Sequence, residues 1–284
     1  MECLTIVGRN ENNILSDEFA RNVANEVNCK NWRWLKDGIA LDFLDVQTTK
    51  PQIEAIIEGK QLDYCLQAQS KRLKKLLISD MDSTIIRQEC IDEIADMIGV
   101  KEQVSAITER AMQGELDFST SLIERVKLLK GLPASKLEEV WQNRIQMQSG
   151  ALELIAGMNK AGAFTMLVSG GFTFFTSKVA GKLGFAAHYA NELIIEDGIL
   201  TGEVSRPILH KAAKRDLLQQ ECGARNIDLS ETLAVGDGAN DADMIMAAGL
   251  GVAYHAKPTL QKIAHASINH TDLTSLLYFQ GLTP

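Results

Sequence analysis

Three short apolar runs in this chain break off at polar or glycine-rich tips. "LLIS" (76–79) runs into Asp80-Met81-Asp82-Ser83-Thr84, "FTMLV" (164–168) into Ser169-Gly170-Gly171, and "TLAV" (232–235) into Gly236-Asp237-Gly238-Ala239-Asn240-Asp241. Runs this short, bounded by turn-forming residues, read as strands buried on both faces rather than as helices. Helical periodicity lies between them from residue 150 onward, and "GVAY" (251–254) adds a further run. Alternating strands and helices specify β-α units and a parallel, Rossmann-like sheet. If the three runs are neighbours, their tips share the carboxyl edge, where open parallel sheets bind ligands.

The tips carry an unusual set of groups. Asp80 and Asp82 stand two residues apart, and like charges that close are costly to dehydrate unless something compensates them. With Asp237 they make three carboxylates with no arginine beside them in sequence, a set that suits a hard divalent cation such as Mg²⁺. The remaining groups suit an anion. Gly170 and Gly171 let backbone N–H groups approach a phosphate oxygen, Ser169 donates, and Lys214 in "ILHKAAKRDLL" supplies a point charge. A cation site beside an anion site is the arrangement for phosphoryl transfer. On that reading Asp80 is a nucleophile that carries the phosphoryl group, and Asp82 is an acid and base with a coupled titration. Asp237 completes the metal shell, Asn240 binds the nucleophile or the phosphate, and Asp241 is an orienting or metal-proximal acid.

Charge narrows the partners. With 29 basic against 37 acidic residues the formal balance is −8, which argues against nucleic acid or an anionic membrane surface. No apolar run is long enough to cross a bilayer, and "MECLTIVGRNENN" lacks the pattern of a secretory leader. Five scattered cysteines without paired spacing fit reduced thiols in a cytoplasmic protein and no zinc or redox motif. The five histidines show no ligand spacing. Cys90, beside the acidic tip, reads as a small buried residue. A small-molecule substrate is the expected partner. Length and composition leave open a homodimer.

The first seventy residues read as a separate unit. Strands at Leu4–Val7, Trp32–Leu35 and Ile39–Val46, a helix at Asp17–Val27, a short helix after Pro51 and a strand near Tyr64 give the order β-α-β-β-α-β of the ferredoxin-like plan. Ser16 or Asp17 caps the first helix. The basic "KRLKK" at 71–75 reads as a solvated flank before the next strand. Residues 88–148 are helical throughout, with Gly131-Leu132-Pro133 as a break, and look like an insertion over the sheet edge. "LIIEDGILTGEV" sets two apolar stretches around Asp197-Gly198, the signature of a tight hairpin.

"DMDST", "SGGF", "AAK" and "VGDGAND" resemble, in this order, the four motifs of the haloacid-dehalogenase superfamily of phosphotransferases, and most closely its phosphoserine-phosphatase branch. The resemblance covers roughly residues 73–275 and implies a catalytic core at 73–88 and 149–284 with a helical cap at 89–148. Residues 1–72, in element order alone, resemble the small-molecule-binding regulatory domains of the ACT type, which could take a small-molecule effector. It also implies Mg²⁺ on Asp80, on the backbone carbonyl of Asp82 and on Asp237. Phosphate contacts fall on Ser169, Gly170, Gly171, Lys214 and Asn240, and the family's spacing prefers Lys214 to Lys211. In the cap it places Glu89 near a substrate amine, and Met112, Phe118 and Arg125 around the rest of the substrate. The activity it implies is hydrolysis of O-phosphoserine, the last step of serine synthesis. Transfer to an alcohol such as homoserine, action on another small phosphate ester, and an inactive amino-acid-binding relic stay open as alternatives.

Overall fold

The computed structural model describes residues 1–9, 14–112, 115–209 and 211–284; the side chains of Met112 and Lys211 lie outside the described residues. The chain opens with β1 (Glu2–Gly8), α1 (Asp17–Glu26), β2 (Asn31–Lys36), β3 (Ala40–Val46), α2 (Lys50–Ile57) and β4 (Leu62–Ala68), followed by β5 (Leu76–Ser79). Four helices come next: α3 (Cys90–Met97), α4 (Lys101–Met112), α5 (Phe118–Lys127) and α6 (Ser135–Asn143). Then come α7 (Ala151–Lys160), β6 (Phe164–Phe172), α8 (Thr173–Leu183), β7 (Ala187–Asn191), the pair β8 (Leu193–Glu196) and β9 (Ile199–Val204), and α9 (Lys211–Arg225). The last part holds β10 (Thr232–Gly236), α10 (Ala242–Ala247), β11 (Leu250–Tyr254), α11 (Pro258–Gln261), β12 (Ala266–Ile268) and α12 (Ser275–Phe279). The backbone forms two compact units: Met1–Ile78 with Ser149–Thr165 and Leu218–Pro284, and Ser79–Gln148 with Met166–Leu217.

In the first unit the strands stand in the order β2-β3-β1-β4-β12-β11-β10-β5. The first four pair antiparallel, and β10, β11 and β12 run parallel. The helix over the N-terminal strands forms because its start and its apolar spacing agree. The Ser16 hydroxyl oxygen accepts from the Phe19 amide at 3.1 Å, and Ala20, Val23 and Ala24 pack among Leu4, Ile6, Leu41 and Phe43. Tyr64 on β4 stands opposite Ser267 on β12, so the N-terminal sheet continues into the parallel strands.

The basic stretch before β5 corrects the reading of a solvated flank. Arg72 and Lys74 are buried. The Arg72 guanidinium meets the buried Asp42 carboxylate at 2.6 Å and donates to Thr5 Oγ1 (2.8 Å) and to the carbonyls of Phe279 (2.8 Å) and Tyr278 (3.0 Å). A carboxylate buried on a central strand needs a cation from elsewhere, and Arg72 supplies it. Tyr278 and Phe279 of α12, and Gln280 just after it, are buried as well.

The Lys75 amide donates to the carbonyl of Glu231, just before β10, at 2.7 Å, and the Lys75 carbonyl accepts from Phe164 at the start of β6 at 2.8 Å. The starts of these three strands are thereby tied together. Asp80 is the first residue beyond β5 and Asp237 the first beyond β10.

In the second unit the helical stretch resolves into α3 to α6, and β6 pairs in parallel with β7. β8 and β9 form the expected hairpin, with Asp197 (φ 47°) and Gly198 (φ 77°) both left-handed, as its two-residue turn requires. The short strands β7 and β12 were not anticipated from sequence. Among the described residues no helix is long and apolar enough to cross a membrane, and all five cysteines are free.

Candidate active site

Beyond β5 the chain turns back on itself within a few residues. The Met81 carbonyl accepts from the amides of Thr84 (3.3 Å), Ile85 (2.8 Å) and Ile86 (3.0 Å), and Ser83 takes a left-handed φ of 58°. That conformation is uncommon for a residue with a side chain, and the turn's amides hold it there. The two acids on this turn have different partners. Asp80 is buried and ion-paired with the equally buried ammonium of Lys214 near the start of α9. Asp82 accepts from the Cys90 amide at 2.9 Å through one oxygen and from the Ser169 hydroxyl at 2.8 Å through the other. Cys90 is the small buried residue expected; burial pushes its thiol well up, and Asp82 and Glu89 push the same way, so it is an inert thiol.

Ser169, Gly170 and Gly171 lie inside β6 rather than after it. Val168 pairs with Tyr189 and Phe172 with Asn191, so four steps along β6 match two along β7. The surplus residues form a bulge, a device that re-aims backbone at strand ends. There the Gly171 amide donates to Ser169 Oγ at 2.8 Å. The ring of Phe118, at the start of α5, lies over the bulge; a Cβ on Gly170 would stand 2.9 Å from it.

Arg125, one face of α5 further on, is half-buried, and its Nε donates to the Ser121 carbonyl at 3.2 Å. Burial pushes its guanidinium below the usual value, while the charges of Asp92, Glu89 and Asp82 pull it back. Glu89 is exposed at the start of α3 and accepts from the Ser83 hydroxyl at 2.7 Å. Asp92 was missed from sequence. Burial holds its carboxyl above the ordinary range against the pull of Arg125. Its spacing was the available signal, since residues three apart at a helix start share a face with Glu89. The Met112 side chain lies outside the described residues, as does that of Lys211.

Asp237, Asn240 and Asp241 belong to the first unit. The buried Asp241 carboxylate accepts from the amides of Asp237 and Gly238, both at 3.1 Å, and from the Asn240 side chain at 3.3 Å. These bonds tie the carboxylate to its own loop and hold the backbone that carries Asp237.

Residues 77–246 match the haloacid dehalogenase-like hydrolase family. The chain belongs to that family. A phosphoserine phosphatase from Albidiferax ferrireducens is 47% identical over 208 residues, 72% of this chain and 88% of the relative. Among solved structures, a HAD family hydrolase from Salmonella enterica serovar Typhi is similar with a TM-score of 0.87 and 28% identity, covering 98% of both chains. A probable phosphoserine phosphatase from Vibrio cholerae is similar with a TM-score of 0.82 and 32% identity, over 98% of this chain and 86% of that one. As a haloacid dehalogenase-like hydrolase the chain is an enzyme with an α/β fold whose sheet is flanked by helices, as its strand-and-helix alternation led us to expect.

Proposed function

We propose that the chain hydrolyses O-phosphoserine to serine and phosphate, with the phosphoryl group carried in passing on Asp80. The observation that supports this most is the contrast between two acids two residues apart: Asp80 pairs with the Lys214 ammonium, whereas Asp82 bonds to the neutral donors of Ser169 and Cys90. The contrast divides the work. Asp80 attacks phosphorus in line while the P–O bond to serine breaks, and Asp82 delivers a proton to the departing oxygen. Water then attacks the phosphorus, Asp82 takes its proton, and phosphate leaves Asp80 free. Lys214, Ser169, the amides of Gly170 and Gly171, and Asn240 bind the phosphoryl oxygens and offset their charge.

The donors offered by Asp80, Asp237 and the Asp82 carbonyl are all oxygens, the ligand chemistry that Mg²⁺ takes. When bound it would supply positive charge against the phosphoryl oxygens. Arg125 offers a fork for the substrate carboxylate and Glu89 a charge for its ammonium, which together favour an amino-acid phosphate. The naming of similar proteins as phosphoserine phosphatases supports the same substrate. On this reading 89–148 is a cap that excludes water as the intermediate forms, and 1–72 is an ACT-like domain.

The test is phosphate release from a panel of phosphorylated metabolites with Mg²⁺ or EDTA, run with and without acceptor alcohols including homoserine. Phosphoserine should be the best substrate, yield serine and phosphate in equal amounts, and lose turnover in EDTA. Preference for another ester, or transfer of most of the phosphoryl group to an alcohol, would replace this reading with one of its rivals.

A further inference from the structure

The bulge in β6 leaves a problem of hydrogen bonding that one unassigned side chain solves. In a regular parallel pair every second residue of β6 would offer its carbonyl to an amide on β7, but the surplus residues put the Gly170 carbonyl out of register. Asn191, the last residue of β7 and only 3% exposed, stands opposite Phe172 and fills the gap. Its Nδ2 donates to the Gly170 carbonyl at 2.8 Å and, more weakly, to the Leu209 carbonyl at 3.5 Å; its Oδ1 accepts from the Leu209 amide at 2.7 Å. Leu209 lies just ahead of α9, the helix that carries Lys214.

We infer that Asn191 is a positioning residue for phosphate binding, clamping the Ser169-Gly170-Gly171 bulge to the segment that leads into the Lys214 helix. The planarity of one peptide links the two sides of the bulge. With the Gly170 carbonyl held toward Asn191, the Gly171 N–H of the same rigid trans unit must point the opposite way. That N–H meets Ser169 Oγ at 2.8 Å, and Ser169 in turn donates to Asp82 at 2.8 Å. A glycine pair has little preference of its own for this orientation, because glycine is free to turn in either direction. The carboxamide is also the fitting group: it alone among short side chains offers a donor and an acceptor side by side, and here both are used.

The inference rests on the reading of this bulge as the phosphate cradle, and the test separates the two. Asn191→Asp keeps the size and the acceptor for Leu209 but sets an oxygen against the Gly170 carbonyl; Asn191→Ser removes the bridge altogether. Both are assayed with phosphoserine and with a simple aryl phosphate, alongside thermal melting and inhibition by inorganic phosphate. In a folded variant kcat/KM should drop roughly tenfold to a hundredfold with both substrates, and the phosphate inhibition constant should weaken in step. Unchanged phosphate inhibition in a folded variant, or a loss confined to phosphoserine, overturns the clamp. A wild type without turnover would instead overturn the functional reading. Should neither variant fold, the wild-type Asn191 side-chain amide resonance should shift on titration with inorganic phosphate, with the midpoint of its inhibition; an unmoved resonance also overturns the clamp.

Discussion

Arg125 and Asp92 hold opposite charges in a buried setting at some expense to the fold. Burial disfavours the charged form of both, and each is the other's named counter-charge. Arg125→Ala should raise KM for phosphoserine and cut kcat/KM by about 2 kcal/mol, roughly thirtyfold, while sparing a simple aryl phosphate; equal losses on both substrates would count against a carboxylate fork. Asp92→Asn should raise the same KM by less. Its effect on stability has a defined sign. The folded-state carboxyl titrates above its unfolded value, so at neutral pH the ionised form opposes folding, and below the unfolded value that opposition vanishes. The variant should therefore melt no lower than wild type at pH 7, with any gain disappearing in acid; a lower melting point at pH 7 would contradict this. Asp80, Asp82 and Ser169 stand out in the sequence because they sit at the ends of apolar runs, and Lys214 stands out only through the family's spacing. Their pairing could not, since the Ser169 hydroxyl and the Asp82 carboxylate meet across 87 positions. Asp92 was passed over because an acid in the first turn of a helix is ordinary on grounds of the helix dipole alone.

At the scale of elements, the bulge in β6 and the ring of Phe118 work as one surface. Gly170→Ala would place a methyl 2.9 Å from that ring, tighter than ordinary contact, so the ring or the bulge must give way. The expected result is a several-fold fall in kcat/KM with both phosphoserine and an aryl phosphate, restored in part by Phe118→Leu; no change in either would detach Phe118 from the loop. The helices and the Asp197-Gly198 hairpin were legible because their periods and turn residues are local. The bulge was not. Register depends on the partner strand, and β7, "AHYAN", carries no apolar alternation to mark it. β12 is three residues long, below the length at which a pattern can be read.

For the whole molecule, the misread basic stretch is the instructive case. Charge in sequence signals solvent until a buried partner is known, and the partner of Arg72, Asp42, stands 30 positions earlier on β3. Arg72→Met should destabilise the protein by about 3 kcal/mol, because among the described residues it leaves the buried Asp42 carboxylate with the Arg33 contact at 3.2 Å and the Thr5 hydroxyl. Calorimetry or urea unfolding would show this, and a loss under about 1 kcal/mol would mean that Arg33 takes over the pairing. The proposed hydrolysis passes through covalent chemistry at one carboxylate. Radiolabelled phosphoserine, mixed with enzyme and Mg²⁺ and quenched in acid within a turnover, should leave label on the peptide that contains Asp80, released by hydroxylamine as an acyl phosphate is. Asp80→Asn should carry no label and release no phosphate. Label on any other residue, or full turnover in Asp80→Asn, would contradict the account.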